Sequence, residues 1–102
     1  MKIEKSGSET IVYPKGRIDI SSAGEFKDRM NSLIAEGNLN ICLDLAEVSG
    51  IDSSGLGKLL LFQKQLKERG GELSIRNINS DYVKKIFTLV HLYKVIKIEG
   101  LS

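Results

Sequence analysis

The chain has 102 residues, enough for one domain with a single ordinary core. Hydrophobic residues make up 41% and charged residues 27%, the balance of a globular protein rather than a disordered or membrane-spanning one. The net charge of +2 is too small to specify a partner, and the cations are dispersed among acids, as in "KQLKERGGE".

Those numbers exclude several classes. There is no tryptophan and no basic stripe with aromatic platforms, so direct binding to nucleic acid is not expected. The longest apolar runs, such as Leu59 to Phe62, are core-sized and too short for a membrane span. "MKIEKSGSET" lacks the apolar segment of a secretory signal. A single cysteine, Cys42, rules out an internal disulfide and fits a reducing compartment, so a cytoplasmic location is expected.

Extended and helical patterns alternate along the whole chain. "KIEK" reads as a short strand paired across "SGSE" with a second strand over Thr10 to Ile20. Pro14 cannot donate to a ladder, and with Gly16 beside it a bulge or edge position is expected there. Ser22-Ala23-Gly24-Glu25 has capping-box spacing. Phe26, Met30, Leu33 and Ile34 then form one helical face, which Gly37 closes as a left-handed C-cap.

"NICLDLAEV" reads as one strand buried on both faces, as parallel strands are. A second helix is expected from Gly55 to about Arg69, with Leu56, Leu59, Leu60 and Leu66 as its core stripe and Phe62 widening it. "ELSIRNI" is a strand with Leu73 and Ile75 inward. Ser80 caps a third helix carrying Val83, Ile86, Phe87 and Val90, and "KVIKI" is the last strand. The order is β-β-α-β-α-β-α-β, a single α/β domain over residues 1–102 with a mixed, mostly parallel sheet and an antiparallel pair at its start.

Enzymatic chemistry finds little support. The one histidine, His91, lies where a cation complements the end of the third helix, with no nucleophile placed for it. Cys42 sits in an apolar strand, the setting of a packing residue. One histidine and one cysteine do not make a usual zinc site. Gly57-Lys58 has Asp52 where a phosphate-binding loop needs glycine and Leu59 where it needs a hydroxyl. Ser53 has Gly55 two residues after it but Ile51 two before, so it is no nucleophile elbow.

One stretch stands out: "GIDSSGLGKLLL", Gly50 to Leu61. Asp52, Ser53 and Ser54 are all good helix N-caps, and a serine at a helix start is ordinarily no more than that. The two glycines are different. Each costs about 1 kcal/mol in a helix interior relative to alanine, and together they leave the first turn bare, open to close approach by another molecule. Leu56 and Lys58 project from that turn.

"LDLAEVSGIDSSGLGKLL" closely resembles the signature of the STAS domain, specifically of bacterial anti-sigma factor antagonists. "GRIDISSAGEFKDRM", "RGGELSIRNI" and "IFTLVHLYKVIKI" extend the resemblance over nearly the whole chain. The resemblance implies the STAS fold and a partner switch. An anti-sigma factor serine kinase binds the unphosphorylated antagonist, releases its sigma factor, and phosphorylates the serine after the motif aspartate. A PP2C-type phosphatase reverses the modification. Carried onto this chain, the acceptor is Ser53. Asp52, Ser54, Gly55, Leu56 and Lys58 form the contact surface, with Asp19 beside it. The nucleotide belongs to the kinase, so no cofactor and no metal are implied here, and the chain is not an enzyme.

Many relatives continue past the equivalent of "KVIKIEGLS" into another helix, which raises the expectation of a homodimer covering the surface left over. A second reading stays open: a constitutive STAS adaptor or scaffold subunit, in which Ser53 serves only as a cap and no phosphorylation occurs.

Overall fold

Pro14 divides the first extended stretch into two strands that join different sheets. In the computed structural model, which describes residues 1–101, β1 (Lys2–Ser6) and β2 (Glu9–Tyr13) form an antiparallel hairpin. β3 (Lys15–Ile18) starts directly after the proline. The single strand expected over Thr10 to Ile20 is therefore two, because a residue without an N–H cannot continue the β2 ladder. Gly16 is in the left-handed region, at φ 80°, and the pairing shifts register between Gly16 and Arg17, but the extra residue is Ser49 on β5 and not a residue of the stretch where the bulge is expected.

The first helix, α1 (Ala23–Ala35), buries Phe26, Met30, Leu33 and Ile34, the face that the spacing predicts. It closes as expected on Gly37, at φ 94°, whose N–H donates to the Ile34 carbonyl while Asn38 N–H donates to Leu33. Its start differs. Ser22 has helical backbone angles (φ −109°, ψ −16°), unlike the extended backbone of a side-chain cap, and makes no cap hydrogen bond. The Ser22 hydroxyl instead donates to the Arg17 carbonyl at 2.7 Å and accepts from Asp19 N–H at 3.1 Å. The Asp19 carbonyl receives the Ser22 and Ala23 amides.

The stretch "NICLDLAEV" is also two strands, β4 (Asn40–Asp44) and β5 (Glu47–Ile51). Asp44 makes the break: its carboxylate accepts the Ala46 N–H at 3.1 Å, which turns the chain. β4 is buried from Ile41 to Asp44 at the centre of a five-stranded sheet of order β1-β2-β4-β6-β7. All its pairings are parallel except β1 with β2. β3 and β5 form a separate parallel pair. The extra strand β5 lengthens the predicted order but leaves the α/β class and the mixed, mostly parallel character as expected.

Helix α2 (Ser53–Glu68) begins two residues earlier than the spacing predicts. Its buried stripe is Gly55, Leu59, Phe62, Gln63 and Leu66. Leu60 lies off that stripe and is 44% exposed, contrary to expectation. Phe62 meets Phe26 of α1 edge to face, with centroids 5.3 Å apart. β6 (Glu72–Arg76) buries Leu73 and Ile75. α3 (Asp81–Leu89) is capped by the Ser80 hydroxyl, which accepts the Val83 N–H at 3.2 Å, as predicted. Val83 and Phe87 are buried, whereas Val90 ends the helix exposed.

His91 follows that end in a left-handed conformation, with Nδ1 3.0 Å from the Tyr93 hydroxyl. The last strand is shorter than "KVIKI": a 3₁₀ turn over Leu92–Lys94 precedes β7 (Lys97–Ile98). Among the described residues no helix is long and apolar enough to cross a membrane.

Candidate functional site

The strands β3 and β5 set the geometry of the site. They run parallel with Ile18 opposite Ile51, so the next residue of each, Asp19 and Asp52, leaves the sheet beside the other. Asp52 N–H donates to the Ile18 carbonyl at 3.2 Å, which extends the ladder one step. The chain then turns into α2 on one side and towards α1 on the other. Gly50 to Leu61, remote in sequence from Asp19, is thus joined to it by strand pairing.

Asp52 is the N-cap of α2. Its backbone is extended (φ −117°, ψ −173°), and Oδ1 accepts the Gly55 N–H at 3.1 Å. Oδ2 accepts the Ile20 N–H, also at 3.1 Å, from the loop between β3 and α1. One carboxylate therefore fastens a helix start to a neighbouring loop. Ser53, the first residue of the helix, is exposed, and its hydroxyl makes no hydrogen bond among the described residues. With Gly55 N–H taken by Asp52 and Leu56 N–H by the Asp52 carbonyl, the Ser53 and Ser54 amides are left without a protein acceptor among the described residues.

The two glycines of the first turn differ in kind. Gly55 is buried, and a Cβ there would collide with the Ile18 carbonyl oxygen and lie 2.7 Å from Ile51 Cγ1. Its bareness serves the packing of α2 on β3 and β5, not an open surface, and this corrects the reading of both glycines as exposed. Gly57 is exposed and has nothing within 4 Å of its Cβ position. Leu56 is half-buried against the core, and Ser54 and Lys58 are half-buried on the same turn.

Asp19 is held in its own loop. Oδ1 accepts the Ser21 N–H at 3.0 Å and the Ser21 hydroxyl at 2.7 Å, and Oδ2 lies 3.4 Å from Arg17 Nε. The Ser21 hydroxyl is the largest influence that keeps the Asp19 carboxyl below its ordinary value, with burial opposing it. The structure thus brings Asp19, Asp52, Ser53 and the first turn of α2 to one end of the small sheet.

Ile20, expected as the last residue of the strand over Thr10 to Ile20, lies two residues beyond the end of β3. It alternates with Ile18 and so reads as an inward strand residue, yet β3 stops at Ile18 and Ile20 is 81% exposed. Asp19 two residues before the Ser21–Ser22 pair is the available signal for a turn there.

Residues that could do other chemistry lie elsewhere. Cys42 is buried in β4, where burial pushes its thiol up. Among the described residues no group of three or more histidine, cysteine, aspartate or glutamate side chains could hold a metal ion.

The sequence matches the STAS domain family over residues 1–100. The chain belongs to the STAS domain family. Over 101 residues this STAS domain is 31% identical to the anti-sigma-B factor antagonist of Bacillus subtilis (strain 168), covering 98% of this chain and 90% of that protein. Its fold superposes with a TM-score of 0.82 on an anti-sigma factor antagonist from Mycobacterium paratuberculosis, at 20% identity, covering 97% of this chain and 83% of the other. The Bacillus cell fate determinant SpoIIAA in its phosphorylated form gives a TM-score of 0.72 at 20% identity, covering 97% and 90%. At those identities the structural matches speak to the fold alone.

Proposed function

We propose that this STAS domain is an anti-sigma factor antagonist switched by phosphorylation of Ser53. Unphosphorylated, it binds an anti-sigma factor serine kinase and frees the sigma factor. The kinase transfers the ATP γ-phosphoryl group to the Ser53 hydroxyl with release of ADP and the hydroxyl proton, the antagonist dissociates, and a PP2C-type phosphatase restores the serine by hydrolysis to inorganic phosphate. The antagonist role is supported by relatives named for it, among them the Bacillus subtilis protein and the anti-sigma F factor antagonist of Paenibacillus polymyxa.

One observation carries the switch. Asp52, not Ser53, caps α2, which leaves the Ser53 hydroxyl exposed and structurally unemployed. A residue that served only as a cap would be bonded to its own helix. Phosphorylation adds a charge of about −1.5 to −2 at a helix N-terminus, where unpartnered N–H groups and the helix dipole tolerate it. The fold is thus left intact, and the cost falls on the contact, where a desolvated dianion has no partner. A thousandfold loss of affinity needs only about 4 kcal/mol.

The surface that docks comprises Asp19, Asp52, Ser54, Leu56 and Lys58, while Gly55, expected in that surface, is buried and contributes only by seating the first turn of α2 beneath it. The test is to incubate the protein with its kinase and ATP, locate the added phosphoryl group by mass spectrometry, and compare the affinity of both forms. Transfer to Ser53 with loss of binding supports the switch. Tight binding without transfer to any serine favours a constitutive adaptor.

A further inference from the structure

Ile20 is the most exposed large hydrophobic residue described, at 81%, and it is fixed in place rather than adrift. Its N–H donates to Asp52 Oδ2 at 3.1 Å, one residue from Ser53. The preceding residue, Asp19, is held by Ser21 and Arg17, and the following turn by Ser22. The loop that carries this exposed apolar side chain is thus tied directly to the start of α2.

We propose that Ile20 is the apolar anchor of the kinase contact, seated in an apolar depression on the kinase beside its phosphoryl-donating centre, and that Asp52 is the residue that positions it. The inference rests on the partner switch proposed above. A kinase that phosphorylates Ser53 must bring its own catalytic centre to that hydroxyl, so its footprint is centred there. A specific interface covers about 800 Å² per partner, a disc of roughly 16 Å radius. Ile20, hydrogen-bonded to the residue before Ser53, lies well inside any such disc. Residues that fill well-packed, desolvated pockets near the centre of an interface carry most of its energy. Of the other exposed large apolar residues, Tyr82, Leu89, Val90 and Val95 lie on or beyond α3, and Met1 and Leu60, the latter on α2, are only about half as exposed as Ile20.

The arrangement also joins recognition to the switch. The Asp52 carboxylate holds both the first turn that bears Ser53 and the loop that bears Ile20. The anchor and the phosphoryl-accepting hydroxyl are therefore presented on one face, tied together through Asp52.

The test measures kinase affinity of the unphosphorylated protein by calorimetry. Ile20→Ala removes three carbons from a buried contact and is expected to raise Kd about tenfold to a hundredfold. Ile20→Thr keeps the branched backbone preference and is expected to raise it about tenfold. Thermal stability of both should stay near wild type, since the side chain packs on little. Tyr82→Ala, on α3, should leave Kd within about twofold by the same reasoning. Asp52→Asn keeps one oxygen for Gly55 N–H but offers an NH₂ group where Ile20 N–H had an acceptor. It should speed hydrogen exchange at the Ile20 amide, spare that of Gly55, and weaken binding.

Wild-type affinity in both Ile20 variants, or an equal loss from Tyr82→Ala, overturns the anchor and leaves the switch standing. Unchanged affinity in Asp52→Asn with a released Ile20 amide overturns the positioning role. If the wild-type chain does not bind the kinase, the switch falls and the anchor with it.

Discussion

Gly55 and Ile18 approach so closely that no side chain fits between the first turn of α2 and the end of β3. Gly55→Ala is therefore expected to destabilise the fold by about 1–3 kcal/mol, the usual cost of overpacking. Urea denaturation measures it. An alanine variant as stable as wild type would show that the helix shifts freely on the sheet, and the site would then lack the rigidity described.

Gly57 should behave in the opposite way. It is helical, exposed and without neighbours at its Cβ position, so Gly57→Ala is expected to gain up to about 1 kcal/mol from helix propensity. If the bare turn serves a partner, the same substitution weakens kinase binding while the midpoint of unfolding rises. A variant both more stable and equally adhesive would show that the bare face at Gly57 lies outside the contact.

Substitutions at Ser53 separate charge from shape. Ser53→Asp places a carboxylate at the positive end of α2 and should remain folded, gaining or losing less than about 1 kcal/mol. It should nevertheless bind the kinase poorly. Ser53→Ala should bind persistently in the presence of ATP. Circular dichroism and a pull-down over time check both, and an unfolded Ser53→Asp would show that the start of α2 does not tolerate negative charge.

Asp44 links acid stability to the end of the large sheet. Burial pushes its carboxyl up, but the Ala46 N–H, Arg76 Nε at 3.0 Å and Asn77 Nδ2 at 2.8 Å more than reverse this, and the net shift is downward. A carboxyl whose folded value is depressed adds stability above its unfolded value, about 3.9 for aspartate, and loses it as pH falls through the folded value. Wild-type stability should therefore fall below about pH 4, and Asp44→Asn should flatten that limb while lowering the plateau at pH 7. Denaturant midpoints from pH 2 to 7 would show this. An unchanged limb would assign acid sensitivity to other carboxylates.

The helices were the most legible part of the sequence, because each is written in a 3.6-residue repeat and closed by a recognisable signal. Gly37 and Ser80 do what their positions predict. Strand boundaries were harder. The apolar run through Leu45 and Val48 hides the turn that Asp44 makes with a single hydrogen bond, and periodicity cannot register one bond. Ser22 illustrates a second limit: its spacing to Glu25 fits a capping box, but tertiary bonds to Arg17 and Asp19 claim the hydroxyl first. Gln63 is a third. It reads as a polar surface residue, yet it is buried, donating to the Val95 carbonyl at 2.8 Å and accepting Leu73 N–H at 2.9 Å. At the site, the acidic and serine residues were visible as a motif, whereas their junction with Ile20 depends on a strand pairing that no local pattern encodes.

The bulge that aligns Ile18 with Ile51 has a consequence for how such a face can vary. Arg17 lies opposite Gly50 while Gly16 lies opposite Val48, which leaves Ser49 as the supernumerary residue. Deleting or inserting one position in either short strand would put the two aspartates out of step and rotate one of them towards the interior. Amino-acid identity on this face can therefore drift between partners, while the spacing beneath it must stay fixed.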